Sequence, residues 1–101
     1  MKSEEYEKIF ANAFIWQKVA NKVNKEISYQ NAKWGVDHVR SQTVEGHLLV
    51  LRKKLQDAED GWMKNLSGRN SVESELIQVV AVAMQALVNI EIKRLNKDGA
   101  A

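Results

Sequence analysis

The chain has 101 residues, of which 45% are hydrophobic and 28% are charged, and its formal net charge is +2. This composition is typical of one folded domain and excludes a largely disordered chain. The small net charge argues against a dedicated nucleic-acid binder, and the absence of cysteine excludes disulfides and thiolate metal sites. The charged N-terminus predicts no signal peptide, and polar residues interrupt the longest apolar stretch, so we expect a cytoplasmic protein with no membrane span.

Helical periodicity predicts a first helix over residues 4–29. Its apolar stripe comprises Tyr6, Ile9, Phe10, Ala13, Ala20, Val23 and Ile27. Residues 30–43 follow as a polar connecting segment in which Gly35 ends a short helical extension. A second helix is predicted over residues 43–64, with Thr43 as its N-cap. Its apolar residues repeat every three or four positions and predict an inward-facing seam of Leu48, Leu51, Leu55, Ala58 and Trp62.

A third helix, capped by Ser71, is predicted over residues 72–96. Most of its circumference is apolar, and only Glu75, Gln78, Gln85 and Asn89 form a narrow polar stripe. A helix of this kind must be covered on more than one side, which two helices of the same chain do not achieve easily. We therefore expect an all-α, antiparallel bundle of three main helices that is completed by a homo-oligomer, dimer or higher. The alternative is a self-contained bundle with this helix in the middle.

The domain is predicted to span residues 1–98, with a frayed tail at 99–101. No pattern in the chain favours nucleophilic catalysis, because it lacks cysteine and a phosphate-binding glycine loop, and His38 and His47 match no common zinc spacing. A polar cluster is more informative. With the leucine seam inward, Lys53, Lys54 and Asp57 project from the second helix and can meet the polar stripe of the third. Facing acidic clusters on neighbouring helices commonly bind divalent metals.

The segments QNAKWG, HLLVLRKKLQDAEDGW and ESELIQVVAVAMQAL resemble the MazG-like group of all-alpha nucleoside triphosphate pyrophosphohydrolases. The resemblance spans about residues 30–90. It implies a helical bundle that forms oligomers and that hydrolyses nucleoside triphosphates to monophosphate and pyrophosphate with magnesium. The magnesium pattern of the group has two adjacent glutamates, an acid three residues on, and Glu-x-x-Asp on the next helix.

The first half of that pattern falls on Lys53, Lys54 and Asp57, and the second half on Glu75 and Gln78. Only Asp57 and Glu75 are therefore carboxylates that could bind the metal. Magnesium requires anionic oxygen ligands, and two ammonium groups repel it. The sequence thus predicts a degenerate metal-binding site with no resident cofactor, and magnesium would be the cofactor only of an active protein.

We expect a catalytically degenerate relative that acts as a binding or regulatory protein, and the resemblance implies a phage or prophage context. The lysines either contact nucleotide phosphates or form plain surface with an i,i+4 pair between Lys53 and Asp57. One alternative is an active, magnesium-dependent pyrophosphohydrolase with a rearranged site. Another is a small helical protein that binds and inhibits a host protein. Trp34, beside Lys33 and Gly35, is a candidate for contact with a ligand or partner, and its alternative role is to cover the end of the bundle.

Overall fold

The computed structural model describes residues 3–99, and all regular structure in this range is helical. The helices are α1 (Ser3–Trp34), α2 (Val36–Ser41), α3 (Val44–Met63) and α4 (Val72–Gly99), and a 3-10 turn (Gly68–Asn70) precedes α4. The all-α prediction is confirmed. Gly99, the first residue of the predicted frayed tail, is the last residue of α4, and the rest of that tail lies outside the described range.

Local chemistry explains where the helices begin and end. The first helix runs to Trp34, five residues beyond the predicted end, and Gly35 stops it with a φ of 85°, which favours glycine. The helix α2 was not predicted, because six residues carry too little periodicity to be recognised. Both predicted caps are confirmed: the Thr43 hydroxyl accepts a hydrogen bond from the Gly46 amide, and the Ser71 hydroxyl accepts one from the Ser74 amide.

The helix α4 lies in the centre and packs against α3 and the second half of α1. Hydrogen bonds from Lys22 to Glu73 and from Gln85 to Asn31 show that α1 and α4 run in the same direction. The α3 helix runs the opposite way, because Lys54 meets Gln78 whereas Gly61, further along α3, lies beside Val72 at the beginning of α4. Within residues 3–99, α1 and α3 do not pack against each other. A closed bundle of three helices is thus not formed by these residues alone.

The polar stripe of α4 faces the inside of the subunit. Its members are all buried: Glu75, Gln78, Gln85 and Asn89, together with Val82. The apolar faces of α4 point outward instead. The expectation of an inward leucine seam on α3 was wrong, since Leu48, Leu55 and Trp62 are 58%, 50% and 72% exposed and only Ala58 of the seam is buried. The single chain is therefore polar at its helix contacts and apolar over much of its surface.

Hydrogen bonds compensate for the burial of these amides. The Arg40 guanidinium on α2 donates to the side-chain oxygens of Gln85 and Asn89, and the Asn89 amide donates to the Val39 carbonyl at 2.8 Å. The Gln85 amide donates to Asn31 on α1 at 2.9 Å. Each bonded amide avoids the cost of about 1–3 kcal/mol of an unpaired buried polar group. These bonds attach α1 and α2 to the centre of α4.

Two ion pairs attach α1 to the beginning of α4. The buried Glu26 carboxylate accepts hydrogen bonds from Arg69, whose guanidinium lies 4.2 Å from the Tyr29 ring centre, and the bond to Glu26 raises the pKa of Arg69. The Lys22 ammonium donates to Glu73 at 2.8 Å, and this bond lowers the pKa of the Glu73 carboxyl. Charged contacts thus hold this junction together with the buried Val23 of α1.

The α4 segment Val72–Lys97 is long and apolar enough to cross a membrane by length and composition, with a mean hydropathy of 1.5 in its most apolar window. The expectation of no membrane span stays a prediction, because this criterion considers only length and composition. A core helix meets the same criterion. Its buried amides hydrogen-bond to α1 and α2 within the subunit.

Gly61 marks the closest approach of α3 to the chain before α4. A Cβ atom on Gly61 would lie 2.6 Å from the Asn70 carbonyl oxygen and 3.0 Å from the Val72 amide nitrogen. These backbone atoms have little freedom to move, so we expect Gly61→Ala to lower the free energy of unfolding by about 1–3 kcal/mol, despite the helix preference of alanine. The urea unfolding midpoint measures this change.

Gly46→Ala is the matched control in the same helix. Its Cβ would meet the movable end of the Gln42 side chain at 3.1 Å and the Thr43 hydroxyl at 3.3 Å. We expect a neutral or slightly stabilising effect. Equal losses in both variants would contradict the proposed close approach at Gly61.

Candidate functional site

The two polar faces predicted to meet do meet, and the Lys54 ammonium lies between them. Its Nζ donates a hydrogen bond to Gln78 Oε1 at 2.7 Å. The same atom lies 3.7 Å from Glu75 Oε2 and 3.9 Å from Asp57 Oδ2. One cation therefore contacts one amide and two carboxylates on α3 and α4.

Glu75 is the most enclosed charged group of this cluster, at 4% exposure. Its Oε2 has no hydrogen-bond partner in the described part of the chain. Lys54 is its nearest opposite charge, and a carboxylate at such a depth is costly unless it is paired. The neighbouring Gln78 amide is held in place because it also donates to the Arg69 carbonyl at 3.2 Å. The cluster is thus a buried charge pair with a fixed polar wall.

Lys53 has a different role from Lys54. It extends into solvent and pairs with Asp57 Oδ1 at 3.2 Å, four residues away along α3. This is the i,i+4 pair predicted from the sequence, and such exposed pairs contribute only a few tenths of a kcal/mol. The two adjacent lysines therefore hold Asp57 from both sides.

The residues at this cluster do not fit a magnesium ion. Magnesium requires several hard oxygen ligands in near-octahedral geometry. Here the Lys54 ammonium stands within contact distance of Gln78, Glu75 and Asp57, where the ion would have to bind. Within residues 3–99, no group of three or more histidine or acidic side chains is placed to hold a metal. Asp57 and Glu75 are brought together, but as counter-ions of Lys54.

A second site lies at the end of α1, at the QNAKWG segment. A cavity of about 310 Å³ is lined by side chains of α1, α2, α3 and α4 and of the turn before α3. The lining residues are Gln30, Trp34, His38, Val39, Gln42, His47, Val50, Val82 and Gln85. Its volume lies at the lower end of the range for small-molecule pockets, about 300–1,000 Å³. Trp34 is 42% exposed, so its predicted role as a cover for the end of the bundle is at most partial.

Hydrogen bonds set the polarity of this cavity. The contact of His47 Nδ1 with the Thr43 carbonyl, at 3.1 Å, requires a proton on Nδ1 and leaves Nε2 as an acceptor in the neutral ring. The Gln42 amide lies 3.1 Å from His38 Nε2 and donates to it. Apolar Val50 and Val82 complete the lining. The cavity combines an aromatic edge with amide and imidazole groups, which suits a flat, polar heterocycle.

The sequence pointed to Lys53, Lys54, Asp57, Glu75 and Gln78. The structure brings the last four together, whereas Lys53 extends into solvent and pairs with Asp57. Trp34 lies apart from them, at the cavity. The sequence did not predict the cavity, the residues of α4 that line it, or the presence of His47 in its lining. The available signal was Gln85, a glutamine in the apolar middle of α4. A buried amide requires a hydrogen-bond partner, which indicates a polar neighbour at that position.

In comparisons with known proteins, no family model matches the chain, and no curated protein or solved structure matches it.

Lys54→Met tests whether the ammonium holds the buried carboxylate. Removing one partner of a buried ion pair leaves an uncompensated charge, so we expect a loss of about 3 kcal/mol in the free energy of unfolding. Lys53→Met, which removes an exposed lysine, should cost less than about 0.5 kcal/mol. Urea unfolding at neutral pH measures both variants.

The double variant Lys54→Met with Glu75→Gln is compared with Lys54→Met alone. It removes both charges and should recover most of the unfolding free energy that Lys54→Met loses, because no isolated carboxylate remains. A double variant as unstable as the sum of its single variants would contradict the pairing of Lys54 with Glu75.

Proposed function

We propose that this protein is a MazG-like helical scaffold that has lost metal-dependent hydrolysis and acts as a binding or regulatory protein. The observation that carries the proposal is the place of Lys54. Its ammonium contacts Gln78, Glu75 and Asp57 at 2.7, 3.7 and 3.9 Å, at the positions that match the metal-binding pattern of the pyrophosphohydrolases. In this proposal the Lys54 ammonium takes the place of the magnesium ion.

Electrostatics supports the loss of metal binding. At an effective dielectric constant of about 20, two unit charges 4 Å apart interact by roughly 4 kcal/mol. A divalent ion at this cluster would meet repulsion from Lys54 instead of attraction to a glutamate. The exposed Lys53 adds a second positive charge at the rim. Hydrolysis through a rearranged site is disfavoured for the same reason, because Lys53 and Lys54 together balance the charges of Asp57 and Glu75.

The cavity beside Trp34 supports a binding role. It has a volume suited to a nucleobase, an aromatic ring at its edge, and the His47 imidazole, whose Nε2 can accept a hydrogen bond from a polar ring edge. Base stacking on aromatic side chains typically contributes about 1–3 kcal/mol. We infer that a nucleobase or a nucleotide is the class of ligand that fits it, and that the ligand binds without magnesium.

The first test is a calorimetric titration of the protein with magnesium, alone and with nucleoside triphosphates, with pyrophosphate release measured in the same samples. We expect neither magnesium binding nor release. Magnesium-dependent release that is abolished by Glu75→Gln would instead establish the active enzyme.

The second test restores the missing acids. The variant Lys53→Glu, Lys54→Glu, Gln78→Asp places five carboxylates at the cluster with Asp57 and Glu75, and we expect it to gain magnesium or manganese binding. Metal binding should also raise its unfolding temperature, so a variant that is poorly folded without metal remains informative.

The matched control for this restoration is Lys93→Glu, Asn96→Asp, Lys97→Glu. It changes the net charge by the same amount at exposed positions near the end of α4. It should bind no metal tightly. Equal metal binding by both variants would show that net charge alone, rather than the geometry of the cluster, is responsible.

The third test concerns the cavity. Nucleobases and nucleotides are titrated against the protein and followed by amide chemical shifts, which report the location of binding. Trp34→Ala should weaken binding at least tenfold, equivalent to about 1.4 kcal/mol. Trp62→Ala serves as the control, because Trp62 is exposed and does not line the cavity. Equal effects of both substitutions, or shifts remote from the cavity, would contradict the assignment.

A further inference from the structure

The single chain exposes more surface than a compact protein of its size. Its accessible surface is 7880 Å², whereas a folded monomer of 11.5 kDa exposes about 5,800 Å². Its radius of gyration is 17.2 Å, against about 13 Å for a compact chain of this length. The excess of roughly 2,000 Å² per chain corresponds to about 4,000 Å² for two chains, which lies within the total of about 2,000–5,000 Å² that permanent homodimer interfaces bury.

The first part of α1, residues 3–21, which we call the arm, contributes to this excess. Every residue of the arm is exposed. Lys22 pairs with Glu73 at the first turn of α4, so the arm extends beyond the beginning of α4. One side of it carries Tyr6, Phe10 and Phe14 at helical spacing. An isolated helix with such a face is marginally stable in water, so the arm needs a partner surface.

A groove on the outside of α3 offers an unpartnered apolar surface. It is lined by Leu48, Leu49, Leu51 and Leu55 together with the polar side chains of Glu45, Arg52, Gln56 and Glu59. All the residues that line it belong to α3, so within the described residues no other helix forms its second wall. Groove and arm do not contact each other in one subunit, because α1 and α3 do not pack.

The lengths of the two surfaces agree. At a rise of about 1.5 Å per residue, the arm is about 28 Å long and the 20 residues of α3 span about 30 Å. In a two-fold symmetric pair, each arm can lie in the groove of the other subunit. One rotation axis then covers both arms and both grooves. We propose that a second copy of this chain occupies the groove, with the arm of each subunit packed along α3 of its partner. This inference does not depend on nucleotide binding.

The oligomeric state is measured first, by light scattering coupled to size-exclusion chromatography over a range of concentrations. We expect twice the chain mass of 11.5 kDa. Phe14→Glu should weaken association at least a hundredfold, because it places a charge on the apolar face of the arm. Asn12→Glu adds the same charge on the opposite side and should leave the dimer intact. A monomeric parent protein, or a dimer indifferent to Phe14→Glu, would overturn the proposal.

Cross-linking identifies which surfaces meet and does not require a destabilising substitution. The chain contains no cysteine, so Ala13→Cys in the arm and Gln56→Cys in the groove introduce single thiols. The two variants are mixed, allowed to exchange subunits and oxidised. We expect a disulfide between the two different variants, and little between Ala13→Cys and the control Asp37→Cys on α2. A disulfide formed only between identical variants would overturn the arm-in-groove arrangement even if the protein is a dimer.

Discussion

The contact of the Lys54 ammonium with Glu75 and Gln78 is the constraint on which the α3–α4 pair depends. A carboxylate as enclosed as that of Glu75 requires a cation, and Lys54 supplies it from the neighbouring helix at 3.7 Å. The same contact bears on metal binding, because an ammonium beside the two carboxylates repels a further cation. One side chain thus both pairs with a buried acid and disfavours a metal at this cluster.

The fold class, the two helix caps and the meeting of the two polar faces could be predicted from local patterns. Thr43 and Ser71 are recognised because a cap is a short-range event between a hydroxyl and a nearby amide. The cluster around Lys54 was predicted because residue spacing places its members on facing helices. Their mutual contact follows from the antiparallel arrangement of α3 and α4.

The direction of the apolar faces could not be predicted. Periodicity shows which residues share a face, but not whether that face meets its own chain or solvent. Leucines such as Leu48 and Leu55 were expected inside, and they lie outside. The amides Gln85 and Asn89 take the inner position because Arg40, Asn31 and the Val39 carbonyl satisfy them. Those partners are distant in sequence, so no local pattern reveals them.

The inward amides of α4 have a consequence for how such a subunit can change over evolutionary time. Hydrogen bonds are directional, so Gln85 and Asn89 allow one register between α4 and its neighbours, whereas leucine contacts tolerate sliding. The internal register is therefore specified by a few polar atoms, and the outer apolar faces are not needed to define it. Substitutions on those faces can alter which copies associate, and in what number, while each subunit keeps the same internal geometry.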